Sequence, residues 1–303
     1  MADQIETVRR YLAACNGADV PGIEATLADP FTHYYLAPNK GSKPTRGRDL
    51  LAQKASRSVQ LAGSQWSIDR AISDGERTAI EYAMSWVPPQ TGISTRMRGS
   101  EWYDFAGDEI SEVRSYHQVT ATESGLDGFP YADRGYGDGV HDAPEPEVPG
   151  EPTDARLALI RDYYDACTRA DAAALQGMFT EDVVHYFLHP NVGSTPVAGA
   201  EHLARYWRKV AGMISARWIV ESIIARGDEA VIEWSMYWNA RPDAPRIVTR
   251  GTEWYVFEGD RISEIRSYHK QPEQSSELDG FEYADRGYST LGNEHSALHP
   301  DPA

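Results

Sequence analysis

Cysteine is scarce in this 303-residue chain: Cys15 and Cys167 alone cannot build a disulfide framework or a four-cysteine zinc site. Long apolar runs are missing as well, and without a stretch of roughly 18 apolar residues nothing in the sequence reads as a membrane span. Positive charge is in deficit. Lys and Arg total 29 against 46 Asp and Glu, a formal charge of −17, which argues against nucleic acid as a partner. The first residues, Met-Ala-Asp-Gln-Ile-Glu, have neither the basic nor the apolar region of a secretory signal, so a cytoplasmic location is expected. There is no Gly-rich phosphate loop and no serine elbow. What is present is an apolar content of 41% with 11% aromatics, enough for a real core and too much for a disordered chain.

The chain is one sequence written twice. Arg98-Gly-Ser-Glu-Trp-Tyr-Asp-Phe returns as Arg250-Gly-Thr-Glu-Trp-Tyr-Val-Phe, and Ile110-Ser-Glu-Val-Arg-Ser-Tyr-His returns as Ile262-Ser-Glu-Ile-Arg-Ser-Tyr-His. Cys15/Cys167, His33/His185, Trp66/Trp218 and Trp86/Trp238 keep the same offset of 152 residues. Units this long exclude a solenoid, so the expectation is a duplicated domain, with copy one at 1–136 and copy two at 153–288. The Pro- and acid-rich stretch 137–152 reads as a semi-rigid linker that buries nothing, and 289–303 as a polar, disordered tail. The matched cysteines fall on an apolar helix face, where packing is the expected role.

Ile5, Val8, Leu12 and Cys15 recur at helical spacing, answered by Leu157, Ile160, Tyr164 and Cys167. A short second helix follows Asp19, then an aromatic strand at 31–36, a Pro-Asn turn and a third helix. That helix is clearest as Leu203, Tyr206, Trp207, Val210 and Ile214. Alternation at Ile80, Tyr82, Met84 and Trp86 marks a half-buried strand, and Gly107-Asp108 joins two more as a hairpin. Three helices followed by long strands give an α+β class, a curved mixed or antiparallel sheet folded over helices in each of two tandem cones.

This order of helix, Gly-x-Asp, helix, strand, Pro-rich turn, helix and strands closing on "Gly-Asp-x-Ile…Arg-x-Tyr" resembles the SnoaL-like branch of the nuclear-transport-factor-2-like superfamily. Ketosteroid isomerase, scytalone dehydratase, limonene epoxide hydrolase and polyketide cyclases share that fold. The resemblance implies a cone-shaped cavity and, through pairing of convex sheets, a covalent pseudo-dimer with room for further self-association. Outward residues Glu81, Arg98, Glu112 and Arg114 would then form a charge ladder where two sheets meet.

Strand alternation and the resemblance together assign an inward set. Tyr35, Tyr82, Met84, Trp86 and Tyr103 should line one cavity, with Phe187, Trp234, Met236, Trp238 and Tyr255 lining the other. Such walls suit a small hydrophobic or aromatic molecule. Glu101 and Glu253, on the same strands, must be paired or neutral when buried. Glu101 stands in the register of the protonated Asp of ketosteroid isomerase, a known case of a carboxylic acid kept neutral to donate a hydrogen bond. Tyr11 and Tyr163, each eight residues before the Asp of Gly-x-Asp, match that enzyme's second donor. Its catalytic base has no carboxylate counterpart here. His33, His117, His185 and His269 remain as proton acceptors with pKa values expected near neutrality.

The expected activity is cofactor-free, metal-free acid–base chemistry (isomerisation, dehydration or ring closure) on a small hydrophobic carbonyl or hydroxy compound. Non-catalytic ligand binding, a scaffold role, and an epoxide or lactone hydrolase are the alternatives. The Arg-x-Asp pair of limonene epoxide hydrolase is not reproduced, since Gly-Ser follows Arg98 and Gly-Thr follows Arg250. His185 and His189, four apart on a strand, stand roughly 13 Å from each other, too far to share a metal.

Overall fold

The structure, a computed structural model, describes residues 4–39, 41–120, 123–191, 193–272 and 274–300. It divides into two compact units. Unit 1 comprises Met1–Gly125, Phe129–Pro149 and Leu278–Gly280; unit 2 comprises Leu126–Gly128, Gly150–Glu277 and Phe281–Ala303. Three residues of each closing segment therefore group with the unit built from the other repeat.

In unit 1, α1 (Gln4–Asn16), α2 (Val20–Glu24) and α3 (Arg48–Ala62) accompany strands β1 (Leu27–Tyr35), β2 (Thr45–Arg46), β3 (Gln65–Ser73), β4 (Arg77–Trp86), β5 (Thr95–Ala106), β6 (Glu109–His117) and β7 (Glu123–Leu126). The main sheet runs β2-β1-β6-β5-β4-β3, with β1 parallel to β6 and the other neighbours antiparallel. β7 adds a short parallel pairing to β5. Unit 2 repeats the plan with α4 (Ala155–Thr168), α5 (Ala172–Met178), β8 (Phe179–His189), β9 (Val197–Ala198), α6 (Ala200–Ile214), β10 (Arg217–Arg226), β11 (Glu229–Asn239), β12 (Arg246–Glu258) and β13 (Arg261–His269). Each unit is thus the expected α+β cone.

The repeated motifs have local physical causes. Asp19 and Asp171 cap the second helix of each unit, accepting from Gly22 N–H at 3.2 Å and Ala174 N–H at 3.0 Å. Asn16 clamps the end of α1 to β3, its amide and carbonyl both bonded to the Trp66 backbone at 2.8 Å. Ile5, Val8, Leu12 and Cys15 bury the expected face of α1. The first strand begins earlier than the aromatic run suggests, because Leu27 pairs with Ile110 before a register shift.

The stretch 137–152 departs from its composition. Ala143 and Val148 are buried, and the segment pairs with the edge strand β3. Ala143 N–H donates to Ile68 C=O at 2.8 Å, Ala71 N–H to Pro146 C=O at 2.7 Å, and Val148 N–H to Ala71 C=O at 2.8 Å. On the same outer edge the Ile68 N–H donates to the Asp142 carboxylate at 2.8 Å. The described part of the tail does the same for β10. His299 Nδ1 accepts from Val220 N–H at 3.2 Å, Ser296 donates to Val220 C=O at 2.6 Å, and Ser289, Ser296 and His299 are buried. Backbone pairing, to which side-chain composition is blind, holds the first strap, and the Ser296 and His299 side chains hold the second.

The aromatic segments 126–136 and 278–288 also lie elsewhere than over a cavity. Tyr131 stacks on the Arg98 guanidinium, 4.0 Å from ring centre to carbon, and Tyr136 donates to Glu81 at 2.6 Å. Tyr283 lies 3.6 Å from Arg250, and Tyr288 donates to Glu233 at 2.6 Å. These are convex-face residues, so that face is covered by its own closing segment. Within unit 1 the arginines of the expected ladder also have carboxylate partners. Arg98 pairs with Asp69 and donates to Gly137 C=O at 2.7 Å, while Arg114 bonds Asp104 and Glu112 at 2.5 and 2.7 Å.

Candidate functional site

A glycine organises each site. Tyr82, Gly99 and His117 are cross-strand neighbours on β4, β5 and β6, and a Cβ on Gly99 would stand 2.8 Å from the His117 Cβ and 2.7 Å from the Tyr116 carbonyl. Without that Cβ, Tyr82 Oη and His117 Nδ1 meet across the middle strand at 2.9 Å. Trp234, Gly251 and His269 repeat the arrangement on β11, β12 and β13. Indole replaces phenol there, and Trp234 meets His269 edge-on at 5.3 Å.

One step along β5, Glu101 faces Ser115 on β6. Ser115 donates to Glu101 Oε1 at 2.6 Å, and Tyr103 donates to Oε2 at 2.5 Å. His33 Nε2 lies 2.6 Å from Ser115 Oγ, and its buried Nδ1 has no hydrogen-bond partner among the described residues. With the Ser115 proton directed at Glu101, His33 Nε2–H donates to Ser115, leaving an unpaired acceptor rather than an unpaired donor. Burial pushes Glu101 above the usual carboxylate range, against the pull of Ser115 and Tyr103. Burial also drives His33 down to about 3, with the neighbouring His117 and Lys54 charges adding to the effect, and His117 down to about 4. Both imidazoles are neutral at pH 7, a correction to the near-neutral values expected from residue type.

A cavity of about 290 Å³ opens in unit 1. Tyr11 of α1 and the strand residues His33, Tyr35, Tyr82, Met84, Trp86, Glu101 and His117 all line it. Tyr103 does not; it supports Glu101 from outside the cavity wall. Tyr11 is hydrogen-bonded to Cys15, whose thiol burial pushes up to about 12, and it meets Tyr103 edge-on at 6.4 Å. Cys15 itself lines the cavity, as does Lys54 of α3, which donates to Thr45 at 3.0 Å. Burial raises the phenols of Tyr11, Tyr35 and Tyr82, so they keep their protons and can donate.

Unit 2 has a cavity of about 320 Å³ with a different wall. Phe187, Trp234, Met236, Glu253 and His269 line it. His185, Tyr163, Tyr255 and Trp238 do not. His185 is sealed between Phe187, stacked at 4.1 Å, and Trp207 at 5.4 Å. Trp238 turns its Nε1–H to Thr249 at 3.0 Å. Tyr163 is hydrogen-bonded to Cys167, and the next residue, Tyr164, reaches Glu253 Oε2 at 2.6 Å. Tyr255 shares that oxygen at 2.6 Å, and Ser267 donates to Oε1 at 2.8 Å. His269 Nδ1 lies 3.0 Å from Ser267, and burial lowers its pKa to about 4.

Sequence reasoning missed Ser115 and Ser267 as the links between carboxylate and histidine. It placed Tyr206 and Trp207 on the third helix without giving them to the cavity that they line. Among the described residues, no group of three or more His, Cys, Asp or Glu is placed to hold a metal ion. No helix among them is long and apolar enough to cross a membrane.

Each unit is therefore a cone of helices and curved sheet around an apolar cavity with a buried carboxyl, a histidine and phenols in or behind its wall. The SnoaL-like domain family matches residues 8–113 and again 160–265, and the chain belongs to that family as a tandem duplication. A protein of unknown function with a cystatin-like fold from Methylobium petroleophilum is 31% identical, over 45% of this chain and 91% of its own, with a TM-score of 0.35. A protein with a ketosteroid isomerase-like fold from Catenulispora acidiphila, in complex with trimethylamine, is 16% identical over 37% and 85%, with a TM-score of 0.34. An epoxide hydrolase from M. tuberculosis is 19% identical over 39% and 84%, also with a TM-score of 0.34. Among curated proteins, none matches.

Proposed function

We propose that unit 1 performs cofactor-free acid–base chemistry on a small hydrophobic carbonyl or hydroxy compound. One observation carries this reading: Glu101 and His117 line the same largely apolar cavity, the carboxyl pushed up by burial and the imidazole pushed down to about 4. In the tautomer where His117 Nδ1–H donates to Tyr82, the Nε2 lone pair is free to take a proton next to a carbonyl. A base near 4 is wholly in its basic form at pH 7, as a catalytic carboxylate would be. Charge then develops on the substrate oxygen, where the Glu101 carboxyl and the protonated phenols of Tyr11 and Tyr35 are the available donors. Return of the proton to a neighbouring carbon gives isomerisation, and loss of a hydroxyl gives dehydration.

The test is proton exchange at the carbon beside the carbonyl of cyclohexanone in deuterium oxide, followed by NMR. His117→Asn should slow exchange by roughly a hundredfold or more, the usual weight of a general base. Glu101→Gln should slow it with less effect on binding. An unchanged rate in His117→Asn would remove the assignment, and saturable uptake without exchange would favour a binding protein.

A further inference from the structure

The Pro-Asn turn after the first strand of each repeat meets the end of the strand that carries the cavity histidine. β1 and β6 run parallel with Tyr35 beside Ser115, and Leu36 N–H donates to Ser115 C=O at 3.1 Å. The evenly spaced bonds of a parallel ladder put the next donor two residues on, facing His117 C=O. That residue is Pro38, which has no N–H to give. The Asn39 side chain makes the bond instead. Its Nδ2 donates to His117 C=O at 3.0 Å and to Leu36 C=O at 2.8 Å.

Unit 2 carries the substitution further. Pro190 stands where the parallel ladder of β8 and β13 needs a donor, and Asn191 Nδ2 reaches His269 C=O at 2.8 Å. Asn191 Oδ1 then accepts from Gln271 N–H at 3.1 Å. A residue in a parallel strand bonds its neighbour in the same pattern, donating to one carbonyl and accepting from the amide two residues further along. The asparagine side chain has the donor and acceptor of a peptide group, so it extends the pairing by one residue past a proline. β6 and β13 both end on the histidine, the place where a strand frays first. His117 and His269 nevertheless stand in the cavity walls, His117 with its Nδ1 held 2.9 Å from Tyr82.

We propose that Asn39 and Asn191 are positioning residues: each splints the strand end that bears the cavity histidine, His117 or His269, and so fixes where its imidazole stands. The consequence for proton transfer rests on the reading of His117 as the base of unit 1; the splint itself does not.

Asn39→Ala and Asn191→Ala are made in the full chain, and the imidazoles are titrated by NMR of their ring protons. His117 faces Tyr82, Tyr35 and His33, while His269 faces Ser267, Trp234, Phe187 and His185. Burial holds both histidines at about 4. Water reaching a loosened strand end relaxes that burial, so in Asn39→Ala the titration of His117 should rise above about 5 while that of His269 stays in place. Asn191→Ala should do the reverse and speed hydrogen exchange at the Gln271 amide about tenfold or more. The maximal rate of cyclohexanone exchange at pH 7 should fall about tenfold in Asn39→Ala, with the half-saturating concentration within about twofold of wild type.

A general loss of stability moves no titration in the folded protein, so histidines that keep their wild-type values in both variants would overturn the proposal. A shifted titration with unchanged cyclohexanone exchange would keep the splint and remove His117 as the base. Should the variants fail to fold, the wild type decides. The Nδ2 protons of Asn39 and Asn191 should then exchange about tenfold more slowly than those of the exposed Asn293, and equal rates would overturn the proposal.

Discussion

Lowering the pH from about 7.5 to about 5 should weaken unit 1 through His117, by an amount the buried geometry sets. Unfolded, this imidazole takes a proton near 6.5; folded, burial holds it off until about 4. The stability linked to its neutral form is therefore intact above 6.5 and is lost as pH falls from 6.5 towards 4. At about 1.4 kcal/mol per pH unit the full loss is about 3.5 kcal/mol, of which about 2 kcal/mol has gone by pH 5. His33, held down to about 3, acts in the same direction. Glu101 and Asp69 act oppositely. Burial raises both, Asp69 to about 7 despite Arg98, so their contribution is largest at low pH and declines as pH rises past the ordinary carboxylate value. The wild-type curve blends these terms, and comparison with His117→Asn isolates one of them. Urea unfolding followed by tryptophan fluorescence across this range gives both curves. At neutral pH the variant should be the less stable protein, and the gap should narrow by about 2 kcal/mol at pH 5. A gap that stays constant would mean His117 is not held neutral by burial, and the base assigned to unit 1 would fall with it.

Gly99→Ala should cost about 1–3 kcal/mol in thermal or urea unfolding, because its Cβ has nowhere to go without parting Tyr82 from His117. Proton exchange should fall in the same variant. Tyr164→Phe removes one of three donors to Glu253 and should cost about 1–3 kcal/mol, whereas Tyr11→Phe leaves both bonds to Glu101 in place and should cost less. Paired unfolding curves check this. His299→Ala leaves the Val220 N–H without its acceptor, so hydrogen exchange should accelerate at Val220 and stay unchanged at Ile68, which Asp142 holds.

The duplication, the cone and the strand-borne part of the unit 1 wall were readable because they rest on patterns that sequence displays: repeats, helical and strand periods, and glycine beside acid at caps. The Tyr163/Tyr164 exchange was not. Adjacent helix positions differ by roughly 100° around the axis, and counting back from Asp171 carries no information on which of the two meets Glu253. Nor was the unit 2 wall, since Trp207 at helical spacing looks the same whether it packs on neighbours or borders a cavity. The histidine pKa values escaped for a simpler reason: they belong to the depth of the site rather than to the residue type.

The straps along β3 and β10 give each sheet a stopper at its open side. An uncapped strand offers its row of amides and carbonyls to any other chain, and here the residues around Pro146 in unit 1 and His299 in unit 2 already occupy those places. Removing residues 137–149 and 289–303 would spare every residue that lines either cavity and take away both stoppers. Its hazard would be adhesion between molecules rather than loss of fold.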